Sequence, residues 1–576
     1  MTGLEEQVRT WVADDPDPRT GAELTELLQS ATGDDEQAAR EARSELEDRF
    51  SGPLTYGTAG LRGRLGGGPH RMNRAVVIRA AAGLVHHLTD VLGAGMAPVV
   101  VIGYDARYRS ADFASDTADV VAAAGGRAWL LPTPLPTPLL AYALRVMDAD
   151  AGVMVTASHN PAADNGYKVY LGGRVVTDAG QGAQIVPPHD EQIAARIAAV
   201  PSVAAVPRST EDAERSGGTR TVLGEDIVEG YLARVAGQVA PATELRIVHT
   251  AMHGVGSAVA LSALRRAGFA DVHPVPEQAD PDPDFPTVTF PNPEEPGALD
   301  LALDLARDVG ADLVIANDPD ADRCSAAIPD PAVAGGWRQL TGDEVGALLG
   351  EEVARRLSAP DGGRSVLASS VVSSRLLGAI AAAHGLEHQV TLTGFKWISR
   401  VPHLAFGYEE ALGYCTDPEA VRDKDGISAA VALARLAARL MSAGGSLQSL
   451  LDELAVRHGV HATAPVTLRV ADLAEIPRLM DHLRTEPPQT LAGSAVTGRE
   501  DLSEGSADLP ATDALVWTTQ AGDRVIVRPS GTEPKLKCYL EVIEPVPAAA
   551  GLGASRQRAA DRLHRLRTEV GAALGL

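Results

Sequence analysis

The chain has 576 residues, 45% of them hydrophobic, which is enough to bury large cores and by ordinary domain sizes predicts about three to five domains. Lysine and arginine total 51 against 76 aspartates and glutamates, and the balance of -25 argues against nucleic acid and anionic membranes as partners, so an anionic ligand needs a locally basic site. No apolar run approaches the roughly 18 to 20 residues of a membrane span, the start MTGLEEQVRTWVADDPD lacks signal-peptide order, and Cys324, Cys415 and Cys538 have no paired spacing, so the expectation is a cytoplasmic protein with free, buried or half-buried thiols and no evident obligate protein partner.

Residues 1–50 are acidic, with apolar positions at helical spacing in ELTELLQS and EQAAREARSELEDRF, and predict a helical extension with a solvated face. A first α/β domain is expected over 51–200, from the helix NRAVVIRAAAGLVHHLTDVL, the strand APVVVIGYD, the helix SADFASDTADVVAAAG and the strand AGVMVTAS. Alternating strands and helices argue for a mainly parallel sheet. The polar stretch 201–220, with its Pro and Gly, reads as a joint to a second βα series over 221–330, and the proline-rich stretch 274–297 reads as a stiff surface loop. A third series is expected over 331–460, including the strand-like LEHQVTLTGFKW. Over 461–576, APVTLRV, SAVTGRED, DALVWTTQ and DRVIVRPSG read as strands, with helical LAEIPRLMDHLR and an amphipathic C-terminal helix, predicting an α+β domain. Three successive βα units of similar size hint at duplication at the level of domains.

Chemistry concentrates in a few stretches. The strand entering TASHNP stops on Ser158, beside His159, with Lys168 ten residues on in DNGYKVY. A serine at the C-terminal end of such a strand faces the ligand crevice of an open α/β sheet, and it equally suits an N-cap. In LVIANDPDADRC an apolar strand runs into Asp318, Asp320 and Asp322, whose alternation in an extended loop turns three carboxylates to one side, where a hard cation such as Mg²⁺ relieves their repulsion. Arg323 follows directly and can balance the cluster or contact a phosphate. In VRPSGTEPKLKCY, Arg528, Ser530, Gly531, Thr532 and Lys535 combine close backbone approach, hydroxyl donors and two cations, as a phosphate cradle or a charged β-turn would. Arg62 sits in the glycine-rich LTYGTAGLRGRLGGG, and Glu409 and Glu410 sit between aromatic residues in FGYEEALGY, where they could bond sugar hydroxyls or simply face solvent.

Taken together and in order, these five stretches resemble the α-D-phosphohexomutase superfamily, over about residues 50 to 545. GTAGLRG, DNGYKVY and GYEEALGY look most like its phosphopentomutase and glucose-1,6-bisphosphate synthase branch, whose bacterial members are often assigned as phosphoglucomutases or phosphomannomutases. The resemblance implies three related α/β/α domains with mainly parallel mixed sheets plus a smaller C-terminal α+β domain around a central cleft. It further implies that Ser158 carries a phosphoryl group, that Ser158, Asp318, Asp320 and Asp322 ligate Mg²⁺, and that Lys168 is a general acid/base whose pKa a dication and an arginine lower. Arg62 matches the arginine of the first loop and Lys396 a lysine near the substrate, Glu409 and Glu410 fall in the sugar loop, and Arg528 to Lys535 fall in the phosphate loop, while His159 orients the site or holds its loop.

The implied activity interconverts sugar 1-phosphate and sugar 6-phosphate, glucose and/or mannose, with a sugar 1,6-bisphosphate as activator. One departure bears on the sugar: hexose enzymes typically carry Glu-x-Ser where this chain has Glu409 and Ala411, a lost hydroxyl bond worth ~1 kcal/mol. A phosphopentomutase is the alternative. Two other classes remain, a non-catalytic sugar-phosphate binder and a haloacid-dehalogenase-type hydrolase using Asp318 as nucleophile.

Overall fold

The computed structural model describes residues 2–55, 60–93, 95–237, 244–357, 364–470, 472, 474–507, 509–530 and 535–574. The chain packs as two compact units, Met1–Pro329 with Asp417–Val431, and Asp330–Thr416 with Ala432–Leu576.

In the first unit, residues up to 50 form three helices, Thr2–Asp14, Pro18–Ala31 and Glu36–Arg49, the second and third N-capped by Asp17 and Asp35. Val8, Leu24, Leu28 and Leu46 make their shared core. The helix Arg74–Leu92 is long and apolar enough to cross a membrane, contrary to the expectation that no segment is. It is a core helix: Val77, Leu84 and Leu88 are fully buried with Val100 and Ile102 of the neighbouring sheet.

Three sheets repeat one plan. In the first, Val99–Tyr104, Arg127–Leu130 and Ala151–Val155 run parallel, and the fourth strand, Asp164–Leu171, lies antiparallel against the third. The spatial order is fourth, third, first, second. The same order and directions recur in Ile247–Thr250, Val272–Pro274, Leu313–Ala316 and Ser325–Pro329. They recur again, in the second unit, in Val366–Ser370, Glu387–Thr391, Leu404–Glu409 and Gly413–Cys415. In each, the turn from third to fourth strand leaves the C-terminal end of a buried parallel strand, where open α/β sheets place ligands. Those three turns carry TASHNP, DPDADR and the EEAL of GYEEALGY.

The second unit also holds a six-stranded sheet whose mutually resolved pairings are antiparallel, from Val460–Arg469 across to Thr490–Leu491, with the helices Glu475–Thr485 and Leu552–Ala573 packed on it. Met480, Leu566 and Val570 meet Val525, Val527 and Leu536 in its core, the expected α+β arrangement.

Several local expectations need correction. Residues 201–220 are more ordered than a bare joint: Val203 and Val206 are buried, Ser209 caps the helix Thr210–Ser216 with a capping box, and Thr219–Val222 adds a parallel strand beside Arg127–Leu130. LEHQVTLTGFKW is strand only to Thr391, after which Gly394, at φ 99°, turns the chain into the short helix Phe395–Ile398. Within 331–460, the segment Asp417–Val431 packs with the first unit, giving Asp423 to the Tyr170 hydroxyl at 2.7 Å and Asp425 to the Tyr231 hydroxyl at 2.8 Å. All three cysteines are free and buried, and burial pushes the Cys324 and Cys538 thiols up to about 12.

Candidate active site

Ser158 follows the strand Ala151–Val155 and takes a left-handed backbone, φ 53°, that costs a non-glycine residue on the order of 1 kcal/mol. The surroundings fix it there. Its N–H donates to Thr156 Oγ1 at 2.9 Å, and the Arg107 guanidinium donates to the carbonyls of Ser158 and Asn160 at 2.6 Å and of Pro161 at 2.8 Å. Arg62 reaches the same loop, donating to Asn160 Oδ1 at 3.0 Å. The Ser158 hydroxyl donates to Asp318 Oδ2 at 2.8 Å, with His159 Nδ1 3.2 Å away.

Asp318, Asp320 and Asp322 follow the strand Leu313–Ala316, and Ala321, at φ 53°, turns the loop so that all three carboxylates are buried. One oxygen from each lies within 4.8 Å of the others. Lys168 Nζ donates to Asp320 Oδ2 at 2.7 Å and Asp322 Oδ2 at 2.9 Å; Thr137 Oγ1 donates to Asp320 Oδ2 at 2.6 Å; the Arg323 N–H donates to Asp318 Oδ1 at 3.0 Å. Asp320 Oδ1 and Asp322 Oδ1 have no hydrogen-bond partner among the described residues. Two buried carboxylate oxygens without donors, beside a third acid, fit a hard divalent cation that takes oxygen ligands.

Charge is unevenly settled. Burial, reinforced by Asp320 and Asp322, pushes Asp318 well above the usual carboxylate range. Burial acts the same way on Asp322, but Lys168, Lys424 and Arg323 outweigh it and hold Asp322 well below that range. The expected lowering of Lys168 is not what the chain's own groups produce: burial does lower it, but Asp320 and Asp322 carry it above an ordinary lysine. Burial, with Arg323 and Arg62, pushes His159 well below its usual value, so it meets the serine as a neutral imidazole.

Three residues of this site carry no motif. Arg107 acts on backbone carbonyls, Thr137 comes from the start of the helix Thr137–Val146, and Lys424, 3.3 Å from Asp322 Oδ2, comes from Asp417–Val431. The run RDKDG around Lys424, charged and placed just ahead of an apolar helix, was the one available signal.

In the second unit, Glu409 ends the strand Leu404–Glu409, and Glu410 Oε2 accepts from the Ser370 and Ser373 hydroxyls at 2.9 Å each, which ties the turn to the end of the neighbouring strand. Lys396 lies in the short helix with its Nζ 5.7 Å from the Trp397 ring centroid. Arg528 and Lys535 stand on adjoining strands, and the Ser530 N–H donates to the Lys535 carbonyl at 2.8 Å, closing the tip of that hairpin. Gly531 and Thr532 lie outside the described residues.

Repeated α/β sheets, each delivering a loop from the same topological position, together with a buried serine hydroxyl on a carboxylate trio, define an intramolecular phosphotransferase. Comparison with known proteins gives the family. Models described as phosphoglucomutase/phosphomannomutase α/β/α domains I, II and III match residues 53–203, 229–331 and 341–457, and the C-terminal domain matches 467–551. A Haemophilus influenzae protein named "Probable phosphomannomutase" is 46% identical over 473 residues, covering 82% of this chain and 93% of that one. A Mus musculus phosphopentomutase is 34% identical over 587 residues, covering 94% and 90%. A crystal structure of a phosphoglucomutase/phosphomannomutase family protein from Burkholderia thailandensis shares the fold, with a TM-score of 0.62 at 20% identity over 90% of this chain and 97% of that one. The chain belongs to the phosphoglucomutase/phosphomannomutase family, within the α-D-phosphohexomutase superfamily, and is a phosphosugar mutase.

Proposed function

We propose that the protein interconverts hexose 1-phosphate and hexose 6-phosphate, glucose and/or mannose, with Ser158 as phosphoryl carrier and a 1,6-bisphosphate bound between the two transfers. The observation that carries this reading is the Ser158 hydroxyl 2.8 Å from Asp318 inside a buried trio of acids. Asp318, Asp320 and Asp322 would hold Mg²⁺, which when bound offsets charge on the transferring group and on the carboxylates.

In the forward step the bond from Ser158 Oγ to phosphorus breaks, and the free terminal hydroxyl of the sugar 1-phosphate forms the new bond. With a cation on Asp320 and Asp322, their hold on the Lys168 proton would weaken, so that Lys168, buried on the strand beside the serine loop, would take that hydroxyl's proton and give one to the Ser158 Oγ left behind. After the bisphosphate turns around, Ser158 Oγ takes the other phosphate, and the serine proton passes by way of Lys168 to the sugar oxygen left behind. Arg62, His159 and Arg107 keep the serine loop in place, and Arg323 meets the phosphate. Lys396, Glu409 and Glu410 serve the sugar, the last through the turn it fixes, and Arg528, Ser530, Gly531, Thr532 and Lys535 hold the phosphate that is not reacting.

A pentose reading has two observations in its favour. Ala411 leaves no hydroxyl where hexose enzymes carry serine, and a relative of this chain is named a phosphopentomutase. Intact-protein mass measurement after exposure to glucose 1,6-bisphosphate, with coupled assays on glucose, mannose, ribose and deoxyribose 1-phosphates, separates the readings. Phosphate on Ser158 with turnover of the hexoses supports the proposal. Preference for the pentoses replaces it with a phosphopentomutase, and binding without phosphorylation or turnover replaces it with a non-catalytic binder.

A further inference from the structure

The proline-rich stretch 274–297 is only partly the surface loop its composition predicts. Phe285, in the middle of DPDPDFP, is 4% exposed and holds a left-handed backbone at φ 47°, unusual for an aromatic residue. Its ring centroid lies 4.8 Å from the guanidinium carbon of Arg107. That guanidinium binds the serine loop through three carbonyls, those of Ser158, Asn160 and Pro161, and its Nε lies 3.4 Å from Asp105 Oδ2. Asp105 is itself fixed by the Ser110 hydroxyl at 2.6 Å. An aromatic face over a buried guanidinium is an attractive contact that also leaves the cation no room to swing.

The other side of Phe285 leads to the acidic loop. The Phe285 N–H donates to the Asp282 carbonyl at 3.2 Å, the Asp282 N–H donates to the His253 carbonyl at 2.9 Å, and two residues on the Val255 N–H donates to the Pro319 carbonyl at 2.8 Å. Gly254 lies so close to Pro319 that a Cβ there would come within 2.2 Å of Pro319 Cα. Pro319 stands between Asp318 and Asp320. Tyr108, next to Arg107, adds a second tie by donating to Asp284 Oδ1 at 3.0 Å. One short turn, 282–285, is thus joined on one side to the clamp on Ser158 and on the other to the backbone of the acidic loop.

We propose that Phe285, acting through Arg107, is a positioning residue that sets Ser158 Oγ against Asp318. The inference rests on Ser158 being the phosphoryl carrier. A displacement of about 1 Å between reacting groups is costly to transfer, whereas sugar binding elsewhere does not depend on it. Leucine at 285 fills much of the same space and lacks the aromatic face; tyrosine keeps the face.

The test is the rate at which Ser158 of the full-length protein takes PO₃ from glucose 1,6-bisphosphate in a single turnover, the serine proton passing to the sugar oxygen, with thermal midpoint and KM measured alongside. Phosphorylated wild type is the control: no label on its Ser158 defeats the phosphoserine reading itself. With wild type labelled, Phe285→Tyr should transfer at close to the wild-type rate. Phe285→Leu should be roughly tenfold slower, with KM for glucose 1-phosphate within about twofold. Any result in which Phe285→Leu transfers as fast as Phe285→Tyr overturns the inference.

Discussion

Lys168 Nζ joins Asp320 to Asp322, 2.7 and 2.9 Å from one oxygen of each, while the second oxygen of each carboxylate accepts no hydrogen bond among the described residues. The lysine therefore compensates the acids from one side, and the other side, where Arg323 Nε stands 4.0 Å from Asp322 Oδ1, is an arrangement that could hold a cation. Lys168→Met should lower turnover by roughly 10²-fold or more. It should also cost about 3–5 kcal/mol of stability in chelator, because buried acids lose their partner. Thermal melts with and without millimolar Mg²⁺ check this, the gap to wild type narrowing when Mg²⁺ is present. Equal gaps in both conditions would mean that lysine and metal do not share these acids.

Ser158→Ala removes the hydroxyl from Asp318 and leaves the Arg107 clamp, which binds backbone, intact. The variant should take up no phosphate and lose mutase turnover, with circular dichroism unchanged and a stability cost of about 1 kcal/mol from the lost hydrogen bond. Ordinary turnover by this variant would remove the serine from the mechanism.

Thr137 holds Asp320 twice, by its hydroxyl at 2.6 Å and by its N–H to the Asp320 carbonyl at 2.9 Å. Thr137→Val keeps the shape and the backbone bond and loses only the hydroxyl. Outer partners of metal ligands are worth about 10- to 100-fold in affinity, so calorimetry should find Mg²⁺ binding at least about tenfold weaker. Unchanged affinity would mean that Lys168 alone orients Asp320.

Much of this site was legible because its signals are local. An apolar strand running into Asp-x-Asp-x-Asp, or into a serine followed by a turn, needs no knowledge of partners. Arg107 was not legible: it lies 51 positions from Ser158 and binds main-chain carbonyls, which carry no residue-type signature. The order within residues 201–220 was hidden for a related reason. Thr219–Val222 is exposed along its whole length at the end of its sheet, so it is written in polar residues although it is a true strand. The pull of the chain's own groups on Lys168 was also not legible, because two acids 152 and 154 residues further along the chain outweigh burial.

A pH effect is expected in the second unit. Asp343 accepts from the Ser374 N–H at 2.7 Å and the Tyr408 hydroxyl at 3.0 Å, and burial, with Glu410 and Glu541 adding to it, pushes the carboxyl up to about 7. Between pH 4 and 7 the native state keeps a proton that the unfolded chain has released, so this group's contribution to stability is full below about pH 4 and falls as pH rises through 7. Asp343→Asn should remove that fall. Urea unfolding of both proteins at pH 5 and pH 8 should show wild type losing on the order of 1 kcal/mol more than the variant, less than the whole shift because Asp343 retains some solvent contact. Parallel behaviour of the two would place the titration elsewhere.

Asp417–Val431 belongs to the compact unit begun at the N-terminus, although nearly ninety residues of the other unit come between. Proteins emerge from the ribosome in chain order at about 5–20 residues per second, so roughly 5 to 20 seconds separate the exit of Pro329 from that of Val431. Through that interval the Tyr231 hydroxyl lacks Asp425, the Tyr170 hydroxyl lacks Asp423 and keeps Gln184, and Asp322 lacks Lys424 and keeps Lys168. The half of the molecule that bears the serine is thus translated first and finished late, and a nascent chain halted anywhere in the intervening stretch holds an immature reaction centre.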